Sequence, residues 1–131
     1  MSEIFVKPID AEDVKEFKQL LQQNAGKNGF DPDILGYPNL EIIKAQKNGL
    51  NLAFLPVQHA IVAESVAISP QASQEEAALA MRDMMQVVMF GAYKGGIREI
   101  YFLGSDEATS KMAEKRGFEK IEVPVFRLKL R

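Results

Sequence analysis

The sequence predicts a mixed α/β fold that forms a single domain over residues 1–131. Three observations support this prediction. Two apolar runs flank Asn48-Gly49, and this pair between such runs is the strongest short signal for a β-hairpin. Apolar residues then recur at helical spacing over residues 73–93, which indicates a long helix. A nearly continuous apolar run at residues 97–103 follows and is typical of a central strand.

The first third of the chain predicts a strand, a helix and a loop. Residues 4–9 are apolar and β-branched, and Pro8 places this strand near a sheet edge or at its own end. Asp10 is predicted to cap a helix whose apolar face comprises Val14, Phe17, Leu20 and Leu21. Residues 26–38 are rich in Gly, Asn, Asp and Pro, so we expect a loop with one short helical turn. Loops of this length inside a compact domain commonly carry function.

The rest of the chain alternates strands and helices. The hairpin strands are expected at residues 40–45 and 50–55, and a third strand at residues 60–68. The long helix carries an apolar stripe that comprises Ala77, Met81, Met84, Met85, Val88 and Met89. Ser105 or Asp106 is predicted to cap a further helix that ends at Arg116-Gly117. Residues 118–130 then predict a last strand or a bent pair of strands.

Composition narrows the classes of function. Sixteen basic and eighteen acidic residues give a net charge of −2, so we expect no nucleic-acid partner. The chain has no Cys and one His, His59, which argues against thiolate nucleophiles and His-based metal sites, so no metal is expected. No secretory signal pattern and no membrane-length apolar run occur. The sequence therefore predicts a soluble, cytoplasmic protein without a membrane partner.

The junction between the third predicted strand and the long helix is the most informative stretch. Residues 64–78 read Glu-Ser-Val-Ala-Ile-Ser-Pro-Gln-Ala-Ser-Gln-Glu-Glu-Ala-Ala, which predicts a buried strand, a proline stop and a helix start. The first N–H groups of a helix are unpaired and can bind an anion. Ser73 and Glu76, however, form the capping-box pattern Ser-x-x-Glu, so this helix is predicted to satisfy its own N–H groups. Glu75 and Glu76 would also repel a phosphate placed there.

The element order and two blocks of residues resemble the GNAT superfamily of acyl-CoA-dependent N-acyltransferases over most of the chain. Residues 64–78 are similar to the family's fourth strand and its strand-Pro-helix junction. Residues 106–118, Asp-Glu-Ala-Thr-Ser-Lys-Met-Ala-Glu-Lys-Arg-Gly-Phe, are similar to its final helix, which has an Asn, a Tyr seven positions later and then Glu-Lys-x-Gly-Phe. The resemblance implies a GNAT-like fold and transfer of an acyl group from acetyl-CoA or another acyl-CoA to an amine.

The resemblance also implies which residues form the site. Glu64 would be the base that takes a proton from the attacking amine, with His59 as the second candidate. Tyr37, with Asp31, would line the acceptor pocket in the long loop. The residues implied to contact coenzyme A are Val66, Ile68, Ser73, Glu76, Ala77, Ala78, Ser105 and Asp106. Two structural alternatives stay open: Glu64 faces solvent or pairs with a Lys or Arg, and Tyr37 covers the edge of the core.

Departures from the family pattern leave two functions open. The family's helix opens with Arg/Gln-x-x-Gly-x-Gly/Ala, and of the corresponding residues Ser73, Glu76 and Ala78, the last alone conforms. Ala113 stands where the family commonly carries a Tyr that protonates the departing thiolate, and a methyl group cannot donate a proton. The chain is therefore predicted to be either a divergent acyltransferase or a catalytically inactive GNAT-fold binding or structural module, such as a bacterial or phage accessory protein.

Two further surfaces carry predictions about partners. Lys111, Lys115 and Arg116 form a small basic face on the final helix, which would either contact the 3′-phosphate of coenzyme A or be solvated. The apolar last strand at residues 123–130 is a candidate for pairing with a second subunit, because an unpaired edge strand can extend a neighbouring sheet. A homodimer is the expectation that follows.

Overall fold

A computed structural model describes residues 3–27 and 30–130. Its helices and strands, in chain order, are β1 (Phe5–Pro8), α1 (Val14–Gln23), β2 (Leu40–Lys47), β3 (Leu50–Gln58), β4 (Ile61–Ala63), α2 (Gln74–Lys94), β5 (Ile100–Phe102) and α3 (Glu107–Lys115). Short 3₁₀ turns occur at Ala11–Asp13 and Ile34–Gly36. Antiparallel and parallel strand pairs both occur, so the predicted mixed α/β class is confirmed.

The chain divides into two compact units. The first comprises Met1–Gln58 and Ile121–Arg131, and the second comprises His59–Lys120. The first unit contains the antiparallel sheet, in the order β1-β2-β3, and the second contains the parallel pair β4-β5. Each unit is therefore built around strands of one orientation.

The predicted hairpin joins β2 to β3. Asn48 has φ 53° and Gly49 has φ 79°, and a two-residue hairpin turn with positive φ at both positions is the type that Asn-Gly favours. Pairing runs beyond the predicted ends, to Lys47 and Gln58, and includes Pro56. Pro56 is tolerated because β3 lies at a sheet edge. Pro8 is tolerated for the same reason, since it is the last residue of the edge strand β1.

The core of the first unit lies between α1 and this sheet. Phe17 and Leu21 of α1 and Ile42 of β2 are buried, and the Phe17 ring lies 5.5 Å from the Phe54 ring. Asp10 is the N-cap of the 3₁₀ turn Ala11–Asp13, which continues directly into α1 at Val14, so the predicted cap is confirmed. One detail of the predicted helix is wrong. Leu20 is 37% exposed, because it lies beside the buried line of Phe17 and Leu21 rather than on it.

The second unit contains a β-α-β connection. β4 and β5 pair in parallel, with Ile61 opposite Ile100 and Ala63 opposite Phe102, and α2 is the crossover between them. The predicted strands at residues 60–68 and 97–103 are therefore too long. The ladder ends where the Leu103 N–H donates to the Ala63 carbonyl at 3.0 Å, and beyond it no described strand pairs with residues 64–69. Without a neighbouring strand to bond its N–H and C=O groups, a segment does not continue as a strand.

Helix α2 buries a narrower stripe than the sequence predicts. Met81, Met85 and Ala92 are buried and lie on one helical face. Met84 and Met89 are 49% and 51% exposed, because their positions fall on either side of that face. Among the described residues no helix, α2 included, is long and apolar enough to cross a membrane.

The prediction of a last strand or a bent pair of strands at residues 118–130 is wrong. The described part of this segment contains neither strand nor helix. From Ile121 onward its apolar side chains are exposed, with Phe126 at 90% and Leu128 at 84%. Alternation of apolar residues signals the capacity to pair, but a strand forms only beside a partner, and no described strand pairs with this segment.

Candidate functional site

Both helices of the second unit that follow a strand begin at the same edge of the parallel pair. Because β4 and β5 are parallel, the chain leaves both at their carboxyl ends, through residues 64–73 to α2 and residues 103–106 to α3. Ligands of open α/β sheets bind outside the carboxyl ends of the strands. We call residues 64–78 and 103–110 the carboxyl-edge site.

The start of α2 carries the predicted capping box. The Glu76 N–H donates to Ser73 Oγ at 3.1 Å, and the Ser73 N–H donates to Glu76 Oε1 at 2.9 Å. The chain reaches this cap through a turn in which the Ala72 N–H donates to the Ser69 carbonyl. The bond from the Ser73 backbone N–H lowers the pKa of Glu76, so its carboxylate is charged at neutral pH. A fixed negative charge therefore lies at the helix start.

Two N–H groups at the same helix start are still available. Within the described part of the chain, no side chain accepts a hydrogen bond from the N–H of Gln74 or Glu75. Arg116 Nη2 also donates to the Ala78 carbonyl at 3.4 Å, which places a guanidinium beside the first turns of α2. Ala77 and Ala78 are half-buried. The α2 start thus combines free donors and a cation with the carboxylates of Glu75 and Glu76.

The contact of Arg116 with α2 was not predicted from the sequence. The spacing of Lys111, Lys115 and Arg116 predicts a basic face on the final helix, but spacing within one helix does not show which other helix that face approaches. A signal existed in the sequence, since Arg116 directly precedes the Gly117 that ends α3, where a long side chain can reach beyond the helix.

The start of α3 is also capped by its own side chain. Asp106 Oδ1 accepts from the Thr109 N–H at 2.8 Å and from Thr109 Oγ1 at 2.9 Å, which confirms the predicted cap. The Thr109 backbone bond lowers the pKa of Asp106. Ser110 Oγ donates to the Asp106 carbonyl at 2.8 Å and lies so close to Gly104 that a Cβ there would collide with it. Ser105 is exposed. The roles of Ser105 and Asp106 toward coenzyme A stay predictions.

The end of α3 explains the Lys-Arg-Gly-Phe ending. Gly117 has φ 96°, its N–H donates to the Glu114 carbonyl, and the Phe118 N–H donates to the Ala113 carbonyl, as in a Schellman motif. The Phe118 ring then packs 5.8 Å from the Phe102 ring of β5. Ala113 is 5% exposed. The position where the family carries its proton-donating Tyr is therefore a packing position here.

The candidate base is not in a buried strand. Glu64 is exposed and follows the last residue of β4, which agrees with the alternative that it faces solvent. Ile68 is 44% exposed and Val66 is half-buried, both outside regular structure. His59 is exposed between β3 and β4. An exposed carboxylate at the carboxyl edge can still accept a proton from an incoming amine, and that role stays a prediction.

The predicted acceptor residue Tyr37 belongs to the first unit. Its hydroxyl donates to Asp31 Oδ2 at 2.5 Å, and the ring is half-buried. Asp31 Oδ1 accepts from the Asp33 N–H at 2.9 Å, so this carboxylate organises the predicted short helical turn at Ile34–Gly36. Apart from Tyr37 and Asp31, the predicted site residues all belong to the second unit.

Comparison with known proteins finds acetyltransferases among solved structures. No family model matches the chain, and no curated protein matches it. Aminoglycoside N-acetyltransferase AAC(6')-Iy in complex with CoA is 19% identical, with 98% of this chain and 96% of that chain covered and a TM-score of 0.40. Ribosomal-protein-alanine N-acetyltransferase from Brucella melitensis biovar Abortus 2308 is 13% identical, with 98% and 100% covered and a TM-score of 0.40. An integron cassette protein from the mobile metagenome of V. cholerae is 14% identical, with 96% and 92% covered and a TM-score of 0.44.

These similarities extend over nearly the whole chain, with identities below 25% and TM-scores below 0.5. Any function proposed for this chain therefore rests on its own residues.

Proposed function

We propose that this chain is a divergent GNAT-type acyltransferase that transfers an acyl group from acyl-CoA to an amine. One observation carries the proposal. The connection β4-α2-β5-α3 brings two helix starts to one sheet edge, and at the first of them the Gln74 and Glu75 N–H groups are free while the Arg116 guanidinium lies beside Ala78. Free helix N–H groups together with a cation are a donor set suited to a diphosphate.

The donor set fits the diphosphate of coenzyme A, but the carboxylates of Glu75 and Glu76 oppose its charge. Gln74, Glu75 and Arg116 supply donors, whereas the Glu76 carboxylate, held by the Ser73 N–H, presents a negative charge at the same helix start. We propose that coenzyme A binds weakly unless Glu76 moves away. Ala77, Ala78, Val66 and Ile68 would contact the pantetheine arm, and Ser105 and Asp106 would lie at the neighbouring helix start.

The proposed chemistry uses few side chains. Bound acyl-CoA supplies an activated thioester. Glu64 is exposed after β4 and accepts the proton of the attacking amine. Ala113 cannot return a proton to the leaving thiolate, so that proton comes from water. We therefore expect slow turnover.

A catalytically inactive binding or structural module is the second candidate function. The observation that favours it is that both helix starts at the carboxyl edge are capped by the chain's own carboxylates, Glu76 on Ser73 and Asp106 on Thr109. At the α2 start the Glu76 N–H is already paired with Ser73 and the Glu76 carboxylate is held there, so an added anion is bound less tightly. The buried Ala113 points the same way, since it removes the proton donor.

The partners of this function are proposals as well. The acceptor is an amine, carried by a small molecule or a protein, and Tyr37 is proposed to contact it. A second copy of the chain is the further proposed partner, since the exposed apolar side chains of residues 123–130 have the alternation of a strand that lacks a neighbour. Size-exclusion chromatography with light scattering tests the second copy, and a monomer at all concentrations would contradict it.

Thermal unfolding of the full chain with acetyl-CoA separates the two functions. Acetyl-CoA at a hundred times its dissociation constant should stabilise the folded chain by about 2.7 kcal/mol. Pantetheine, which lacks the diphosphate, is the matched probe and should stabilise less. The absence of stabilisation by millimolar acetyl-CoA would refute the proposed acyltransferase function. The catalytically inactive binding or structural module would then be the remaining candidate.

If acetyl-CoA binds, release of free thiol in the presence of amines measures the reaction. Glu64→Gln removes the base without changing the size of the side chain and should reduce the rate at least about tenfold without weakening acetyl-CoA binding. Full activity in this variant would exclude Glu64 as the base, and the same substitution at His59 would then be the next to measure.

A further inference from the structure

A group of polar side chains joins α1 to the hairpin in the first unit. Lys44 Nζ lies 2.6 Å from Asp13 Oδ2 and 3.6 Å from Asp10 Oδ2. Lys44 is 2% exposed and Asp13 is 7% exposed. Asn51 Nδ2 donates to Asp13 Oδ1 at 3.1 Å and to Glu16 Oε2 at 2.8 Å. We call Asp13, Glu16, Lys44 and Asn51 the polar clasp.

The clasp coincides with an irregularity in the pairing of β2 with β3. Ala45 lies opposite Ala53, but Gln46 lies opposite Asn51, so Leu52 is an extra residue in β3. The Gln46 side chain donates to Asn51 Oδ1 at 3.3 Å, which shows that the two share the sheet face that also carries Lys44 and faces α1. A bulge of this kind redirects the side chains beyond it.

Regular pairing would reverse these two side chains. Since successive residues of a strand point to opposite faces, Leu52 would share the face of Phe54, and Asn51 would point away from α1. That arrangement buries an apolar side chain, and it leaves Asp13 and Glu16 without the Asn51 amide. In the structure Leu52 is instead 46% exposed. Apolar burial therefore opposes the observed register, and something else selects it.

We propose that the polar clasp selects the bulged register of the hairpin tip over the regular one. Two hydrogen bonds from Asn51 to carboxylates exist in the bulged register and are lost in the regular one. The Asn48-Gly49 turn is the alternative cause, because its two-residue loop also requires Gln46 to lie opposite Asn51 and Lys47 opposite Leu50. The inference concerns the first unit alone and is independent of the proposed acyltransfer.

The substitution Asn51→Ala separates these causes, since it removes the clasp bonds and leaves the turn unchanged. Each hydrogen bond to a charged group is worth about tenfold or more in an equilibrium. We therefore expect cross-strand nuclear Overhauser contacts of Gln46 to move from residue 51 to Leu52 in the full-length variant. Glu41→Ala is the matched control, because Glu41 lies exposed in the same hairpin on the other face, and it should leave all contacts in place.

Retention of the contact between Gln46 and residue 51 in Asn51→Ala would overturn the proposal and assign the register to the turn. If Asn51→Ala does not fold, Leu52 is deleted from that variant as well. Deletion removes the extra residue, so the two registers no longer compete, and cooperative unfolding should return. A double variant that stays unfolded would also overturn the proposal.

Discussion

The substitution Phe17→Ala measures how much the core of the first unit contributes to the free energy of unfolding. Phe17 is 3% exposed, and its ring lies 5.5 Å from that of Phe54. Loss of a buried Phe side chain costs about 3–5 kcal/mol, from transfer of the ring and from the cavity that stays behind. With about 2.1 cal/mol/K of unfolding entropy per residue and 131 residues, this loss corresponds to a fall in Tm of roughly 10–20 °C.

The matched control is the same substitution at Phe126, which is 90% exposed. Phe126→Ala should change the free energy of unfolding by less than about 0.5 kcal/mol. Both variants are compared with the parent by urea denaturation, at a concentration where size-exclusion chromatography shows monomers. Equal losses for the two variants would refute the assignment of Phe17 to a packed core.

Further predictions concern charge and backbone in the first and second units. Hydrogen bonding to the Lys44 ammonium lowers the pKa of Asp13 to about 2 from an ordinary 3.8. The contribution of Asp13 to stability is therefore complete above pH 4 and is lost as the pH falls toward 2. Urea denaturation across this range should show the loss, and the free energy of unfolding of Asp13→Asn should depend less on pH. Gly104→Ala should lower Tm because its Cβ meets Ser110 Oγ, and Ser110→Ala should restore most of the loss; no restoration would show that the contact is unimportant. Gly49→Ala should cost about 1 kcal/mol or more in thermal unfolding, since φ is 79°, and an unchanged Tm would argue against the turn.

The sequence predicted those parts of the fold that local chemistry determines. The Asn-Gly turn, the Ser73–Glu76 capping box and the cap at Asp106 depend on residues within four positions of each other, and the structure confirms each. Capping and turn patterns carry their own hydrogen-bond partners along the chain, so they can be identified without knowledge of the tertiary structure.

The sequence failed where a segment depends on a distant partner. Residues 64–69 and 118–130 have the apolar content of strands, but a strand also needs a neighbour, and composition does not reveal whether one is there. The approach of Arg116 to another helix was missed for the same reason. Glu64 falls in the predicted strand at residues 60–68 but lies exposed beyond β4, which agrees with the alternative that it faces solvent.

The polar clasp shows a second kind of limit. Asp13, Lys44 and Asn51 are far apart in sequence, and each is an ordinary polar residue of a helix start or strand. The side of the sheet on which Asn51 lies depends on the extra residue Leu52 in β3, and alternation along a strand does not show a bulge. Side-chain contacts of this kind emerge only from the tertiary structure.

The central claim is that the α2 start binds coenzyme A despite the negative charge of Glu76. The most direct test is to measure acetyl-CoA affinity with and without the Glu76 carboxylate. Isothermal titration calorimetry compares the parent chain, Glu76→Gly and the control Glu12→Gly, in which an exposed Glu of the 3₁₀ turn Ala11–Asp13 in the first unit is replaced. We predict weak binding by the parent, a several-fold lower dissociation constant for Glu76→Gly and no change for the control. Equal or weaker binding by Glu76→Gly would contradict the claim.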